Sequence, residues 1–248
     1  MKNTKMLFSH VADVYAKGRP AYPEAYFNLL KKRETIVDIG AGTGILTEQL
    51  LETRLFENVY AVEPNPSMCK ELRKNLSHYP TLQVKEETAE NTTLLDNSVD
   101  IICAAQAFHW FDVEKFKREC QRIIKRDGEV HLLWNQRKEE DSFISLNKEI
   151  LLKYCPGFQG FEGGREDIER RIESFFTPNE FEKISFDYPL MYTKEELIGR
   201  NMSSSFSPKE NTKEYFILKK ELERAFDECQ MDGKVKYAMT TVCYVGKV

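Results

Sequence analysis

The stretch VDIGAGTGILTEQL, Val37 to Leu50, sets three glycines between an apolar run and a helix-like segment. Gly40, Gly42 and Gly44 leave a backbone that a ligand can press against, and glycine tolerates the tight turn this requires. In an open α/β sheet, ligands sit beyond the carboxyl ends of the strands, at such a strand–helix turn. A phosphate-cradling loop would need Gly-Lys followed by Ser or Thr, which this stretch lacks. A dinucleotide fingerprint would need a third glycine where Ile45 stands. What remains is Asp-x-Gly-x-Gly-x-Gly from Asp38, to be weighed against a tight turn with no ligand. Glu63, in AVEPNPSM, ends the next strand-like run, 19 residues after Gly44. An acid there can accept both ribose hydroxyls of a nucleoside; the plainer reading is an exposed strand-end glutamate. Asp38 could serve the same ligand or cap the helix amines.

The glycine pattern resembles motif I of the class I S-adenosylmethionine-dependent methyltransferases. KEETAENTTLLDNSVDIICAAQAFHWF, which carries Ala89, Glu90, Gln106, His109 and Trp110, resembles later motifs of that family. Its AQAFHWFD run is similar to the type 11 branch, which includes the trans-aconitate-like small-molecule enzymes. The N-terminal FSHVADVYAKGRPAYPEAY also resembles an element of many relatives. The resemblance covers residues 8–137. It implies S-adenosylmethionine as cofactor, held by Arg19 at its carboxylate and by Asp38 toward its amino end. Gly40, Ala41, Gly42 and Gly44 would form the turn, Glu63 with Pro64 would meet the ribose, and Ala89 with Glu90 the adenine. Gln106 would lie beneath the cofactor. Thr88 stands where many relatives carry an acid. Tyr15, Tyr22, Trp110 and Arg137 become candidates for the substrate side, with ordinary packing or solvation as the competing account. Methyl transfer by direct displacement needs alignment and exclusion of water above all. His109 is the candidate base if the acceptor arrives protonated; the alternative is a packed histidine beside Trp110.

The elements that must position these residues alternate. Strands are expected at Thr35–Ile39, Val59–Val62, Leu82–Val84, Val99–Ala104 and Val130–Trp134. Helices are expected at Thr43–Thr53, Pro66–Ser77 and Asp112–Lys125, the last stopped by Gly128. This pace implies a parallel sheet with right-handed crossovers. Beyond it, Ser142–Tyr154 and Glu166–Phe176 read as helices, and Phe181–Leu190 and Val235–Val245 as strands. TKEE at Thr193 and SPKE at Ser207 read as capping boxes, the second opening a helix to about Cys229. Together with the resemblance, this gives a Rossmann-like α/β fold. Its seven-stranded, mostly parallel sheet has helices on both faces, an antiparallel last strand and a helical insertion after strand five. The expected organisation is a single domain: an N-terminal lid with helices (1–34), a cofactor-binding core (35–137), a helical substrate insertion (138–180) and closing strands and helices (181–248).

The chain has 248 residues, 41% hydrophobic and 31% charged, which suits a soluble globular protein. A net charge of −4 provides no general basic field, so no nucleic-acid partner is expected. No apolar run reaches membrane-spanning length, and no membrane partner is expected. Six scattered cysteines without a CxxC pair suggest reduced thiols in a cytoplasmic protein and no metal site. The expected function is S-adenosylmethionine-dependent methyl transfer to a small-molecule acceptor, with oxygen favoured, by a monomer or homodimer. A non-catalytic S-adenosylmethionine- or nucleoside-binding regulatory protein is the alternative, and a dinucleotide oxidoreductase the more distant one.

Overall fold

A computed structural model describes residues 20–161 and 167–248. Nine strands occur among them: β1 (Arg33–Ile39), β2 (Phe56–Val62), β3 (Leu82–Lys85), β4 (Val99–Ala105), β5 (Ile124–Arg137), β6 (Phe181–Asp187), β7 (Leu190–Tyr192), β8 (Val235–Tyr237) and β9 (Met239–Gly246). The helices are α1 (Glu24–Phe27), α2 (Ile45–Thr53), α3 (Pro66–Leu76), α4 (Val113–Ile123), α5 (Ser142–Tyr154), α6 (Ile168–Phe175), α7 (Lys194–Met202) and α8 (Lys213–Cys229). Among the described residues, no helix is long and apolar enough to cross a membrane.

Seven strands form one sheet in the order β3-β2-β1-β4-β5-β9-β6, mostly parallel and with the last strand antiparallel. β1 lies between β2 and β4, with Asp38 opposite Ala61 on one side and Cys103 on the other. The chain winds outward through β2 and β3, then returns to β4, so the strand order reverses at the carboxyl end of β1. Such a switch point leaves a crevice between the turns that leave the two strands. β1 is buried over its last five residues, as a strand covered on both faces must be. Leu46 and Leu50 of α2 and Leu72 and Leu76 of α3 cover one face. Phe116 and Ile123 of α4 and Phe175 of α6 cover the other.

By their contacts, the residues form two compact units. Among the described residues, the first comprises those up to Asn135 together with Asp167–Phe186 and Thr241–Val248. The second comprises Gln136–Glu166 and Asp187–Thr240. In the second, α5, α7 and α8 share a core built on Leu151, Leu197, Leu222 and Tyr237. A two-stranded antiparallel sheet of β7 and β8 belongs to it. The compact units therefore do not follow the segments 138–180 and 181–248, because helices from both bury their apolar faces together.

Four local expectations need correction. The helix expected to reach Lys125 stops at Ile123, and Gly128 lies within β5 rather than at a helix end. A Cβ on Gly128 would stand 2.8 Å from the Asp100 carbonyl, where the β4–β5 register shifts, so this glycine serves close strand approach. The strand expected at Phe181–Leu190 ends at Asp187, and the chain resumes as β7 in the other sheet. The strand expected at Val235–Val245 is interrupted at Ala238, between β8 and β9. Ser207 caps no helix: its hydroxyl donates to the Asn201 carbonyl, and Thr212 caps α8 instead, after Asn211 takes a positive φ of 65°. The box at Thr193 forms as expected.

Candidate functional site

A cavity opens in the first unit at the carboxyl ends of β1, β2 and β4. All three glycines of the turn have positive φ, at 75°, 60° and 94°, yet they do different work. A Cβ on Gly40 would lie 2.5 Å from the Ala107 Cβ, so this position admits the turn after β4. A Cβ on Gly44 would lie 3.0 Å from both Leu72 and Leu76, so this one lets α2 start against α3. Gly42 has only the Met68 sulfur nearby, at 3.9 Å, and it lines the cavity. It is the glycine whose missing side chain leaves space in the cavity.

Glu63 ties the second strand to this turn. Its Oε2 accepts from the Gly42 N–H at 3.0 Å and its Oε1 from the Asn65 N–H at 2.9 Å. Each oxygen keeps a lone pair for a further donor. Burial raises its pKa above the usual carboxylate range. Asp38 is fully buried and accepts from the Thr47 hydroxyl at 2.6 Å. Burial, opposed by that bond and aided by the Glu63 charge, lifts its pKa to about 7. Two buried carboxylates at one cleft favour a ligand that brings positive charge and hydroxyl donors. Asn65 caps α3 by accepting from Ser67 and Met68, which orients Met68 into the wall.

Ala105, Gln106 and Ala107 form the opposite side. Gln106 takes a positive φ of 56°, and its Nε2 donates to the Asn135 carbonyl at 3.2 Å. A short 3₁₀ turn, Phe108–Trp110, follows and brings Trp110 and Phe111 to the cavity. Trp110 is 54% exposed, an unusual setting for a large aromatic side chain and one suited to a ligand wall. Arg171 of α6 holds this turn from behind, donating to the His109 and Phe111 carbonyls at 3.2 and 2.7 Å. Among the described residues, no group of three or more His, Cys, Asp or Glu could hold a metal ion.

Of the residues singled out in the sequence, Tyr22, Asp38, Gly40, Ala41, Gly42, Glu63, Pro64, Gln106 and Trp110 line this cavity. Gly44 does not; it serves helix packing. Ala89 is buried in the core, and Glu90 accepts from the Asp112 N–H at 3.0 Å, so neither lines the cavity. His109 packs on Trp110, with ring centroids 4.9 Å apart, and is not a lining residue. Arg137 belongs to the second unit, where it stacks 4.2 Å over Phe161 and donates to the Tyr237 hydroxyl. Tyr15 and Arg19 lie outside the described residues. Thr43, Met68, Phe111 and Asn135 line the cavity without having been assigned to it. Each had a local signal: Thr43 within the glycine turn, Phe111 within AQAFHWFD, Asn135 at the ligand edge after the expected strand five, and Met68 in the first turn of the helix following Glu63.

Residues 37–132 match the family model described as a methyltransferase domain. An uncharacterised methyltransferase of Mycobacterium tuberculosis is 36% identical over 152 residues, 60% of this chain and 60% of that protein. The match thus spans less than two thirds of that relative's length. A methyltransferase-like protein of Schizosaccharomyces pombe, also uncharacterised, is 27% identical over 97% of this chain and 94% of its own. A solved structure from Anaeromyxobacter dehalogenans, described as a candidate type II methyltransferase, superposes with a TM-score of 0.68. It covers 92% of this chain and 97% of its own at 19% identity, a likeness of fold.

Proposed function

We propose that the chain is a class I S-adenosylmethionine-dependent methyltransferase, as the match of residues 37–132 to a methyltransferase domain supports, and that it methylates a small-molecule acceptor at oxygen. The observation that carries the reading is the pairing of a bare, cavity-facing Gly42 with the Glu63 carboxylate that its own N–H holds. These residues fit the cofactor. Glu63 retains acceptor capacity for ribose hydroxyls, and the buried Asp38 carboxyl suits an ammonium group. S-adenosylmethionine supplies an electrophilic methyl group on a sulfonium.

The chain's own residues bind, orient and exclude water. Ala105, Gln106 and Ala107 set one side of the cleft, and Trp110 and Phe111 provide an apolar wall beside it. Alignment of this kind is the main catalytic device in a displacement that needs little proton chemistry. The titratable side chains among the described lining residues are Tyr22, Asp38 and Glu63. An acceptor oxygen that is already ionised, as in a carboxylate, needs no base, and this favours oxygen. His109 acts in this reading through the turn it shares with Trp110. Arg19, Tyr15 and Arg137 remain proposals for the cofactor carboxylate and the acceptor.

Calorimetric titration with S-adenosylmethionine and S-adenosylhomocysteine, with NAD as control, tests the cofactor. Binding to the first two alone is expected. A panel of small carboxylic acids with labelled methyl donor then tests the acceptor. Tight binding with no turnover across the panel would favour a regulatory nucleoside-binding protein, and NAD binding alone would overturn the reading.

A further inference from the structure

Between Pro20 and Tyr22 the chain lies outside any strand, yet both residues line the cleft. Two side-chain amides from distant elements meet its backbone polar groups. Asn135, near the end of β5, donates from Nδ2 to the Ala21 carbonyl at 3.0 Å and to the Pro20 carbonyl at 3.4 Å. Gln49 of α2 closes a two-bond ring with Tyr22. The Tyr22 N–H donates to Oε1, and Nε2 donates to the Tyr22 carbonyl, each at 2.9 Å. Both amide orientations are dictated by their partners, because a carbonyl can only accept and an N–H can only donate. Asn135 is oriented further by the Thr241 hydroxyl, which donates to Oδ1 at 2.5 Å. Its own carbonyl accepts from Gln106. One buried asparagine thus links the rim, the last strand and the far side of the cleft.

We propose that Asn135 and Gln49 are positioning residues, a side-chain clamp that holds Pro20–Tyr22 as the rim of the cofactor cleft and sets how long the cofactor stays bound. The proposal rests on the S-adenosylmethionine reading above. A rim held by four side-chain bonds, each of modest net strength, detaches more readily than a strand in a ladder. A nucleoside that has entered the cleft is covered as the rim settles over it, so the clamp stabilises the bound complex more than the encounter. Weakening the clamp therefore acts chiefly on the dissociation rate.

Asn135→Asp keeps the shape and the Thr241 bond but loses both donors to the rim. Gln49→Glu keeps the acceptor for the Tyr22 N–H and loses the donor. S-adenosylhomocysteine dissociation, followed by competition, is measured for the unaltered chain and both variants, alongside thermal stability. About a tenfold faster dissociation in each variant, with association little changed, is expected. Dissociation at the unaltered rate, even with lowered thermal stability, would mean that the amides serve folding alone and would overturn the proposal. Should Asn135→Asp fail to fold, Gln49→Glu and Gln49→Met decide by the same readout. Absence of S-adenosylhomocysteine binding by the unaltered chain would instead remove the cofactor reading itself, and the clamp with it.

Discussion

Asp38 ends the central strand with its carboxyl fully buried and its pKa near 7. Its ordinary value is about 3.9. Between the two, the folded chain keeps a proton that the unfolded chain has released, so this group subtracts stability as pH rises from about 4 to 7. Asp38→Asn removes that dependence and can still accept from Thr47. Its stability relative to the unaltered chain should therefore grow with pH, by at most about 1.4 kcal/mol per pH unit. Urea unfolding at pH 5, 6 and 7 checks this, and a difference that stays constant with pH would show Asp38 ionised in the folded chain. Cofactor affinity of the unaltered chain should also climb from pH 6 to 8, as an ionised Asp38 receives the ammonium. Gly42 supplies the second test at this scale. With φ at 60° and open space before it, valine there would be strained and would project into the cleft. Gly42→Val should weaken S-adenosylhomocysteine binding roughly 100-fold or more, which calorimetry would detect as about 2.7 kcal/mol. Undiminished affinity would place the cofactor elsewhere.

The glycine turn, helices α2 and α3, and the turn after β4 form the elements of the cleft. Gly44 starts α2 in a left-handed conformation with Leu72 and Leu76 pressed against it. Gly44→Ala should thus cost roughly 1–3 kcal/mol of stability through overpacking and backbone strain. Its S-adenosylhomocysteine affinity should be largely spared, so thermal melts and calorimetry together separate it from Gly42→Val. The Phe108–Trp110 turn is braced by Arg171 from α6 and by the edge-to-face contact of Phe108 with Phe175, their ring centroids 5.1 Å apart. His109 sits on this turn against Trp110. His109→Ala should lower turnover more than cofactor affinity once an acceptor is known. Equal turnover would leave His109 a packing residue.

At the scale of the molecule, the described part of the cleft is built wholly within the first unit. Saturating S-adenosylhomocysteine should slow amide exchange in residues 38–46, 63–68 and 105–111 and leave the core shared by α5, α7 and α8 unchanged. Exchange mass spectrometry would show this, and protection confined to the second unit would contradict the site. A ligand that binds only the folded chain should also raise unfolding free energy by about 2.7 kcal/mol at 100 times its dissociation constant.

The sequence alone determined the alternation of strands and helices through β5, the glycine turn and the place of Glu63 as an acid at the end of the second strand. Those signals are local: apolar periodicity, caps and spacings of a few to some twenty residues. The second half was less legible. Phe181–Leu190 and Val235–Val245 each read as one strand, but pairing between β7 and β8 divides both, and nothing local announces where a partner will lie. Tertiary structure also decided which glycine leaves space in the cavity, because that depends on whether Ala107, Leu72 or empty space lies opposite. It brought Asn135 to Ala21 across 114 residues and Arg171 to the His109 turn across 62. Contacts at such separation leave no pattern in the chain, since they arise only when the sheet has ordered its strands.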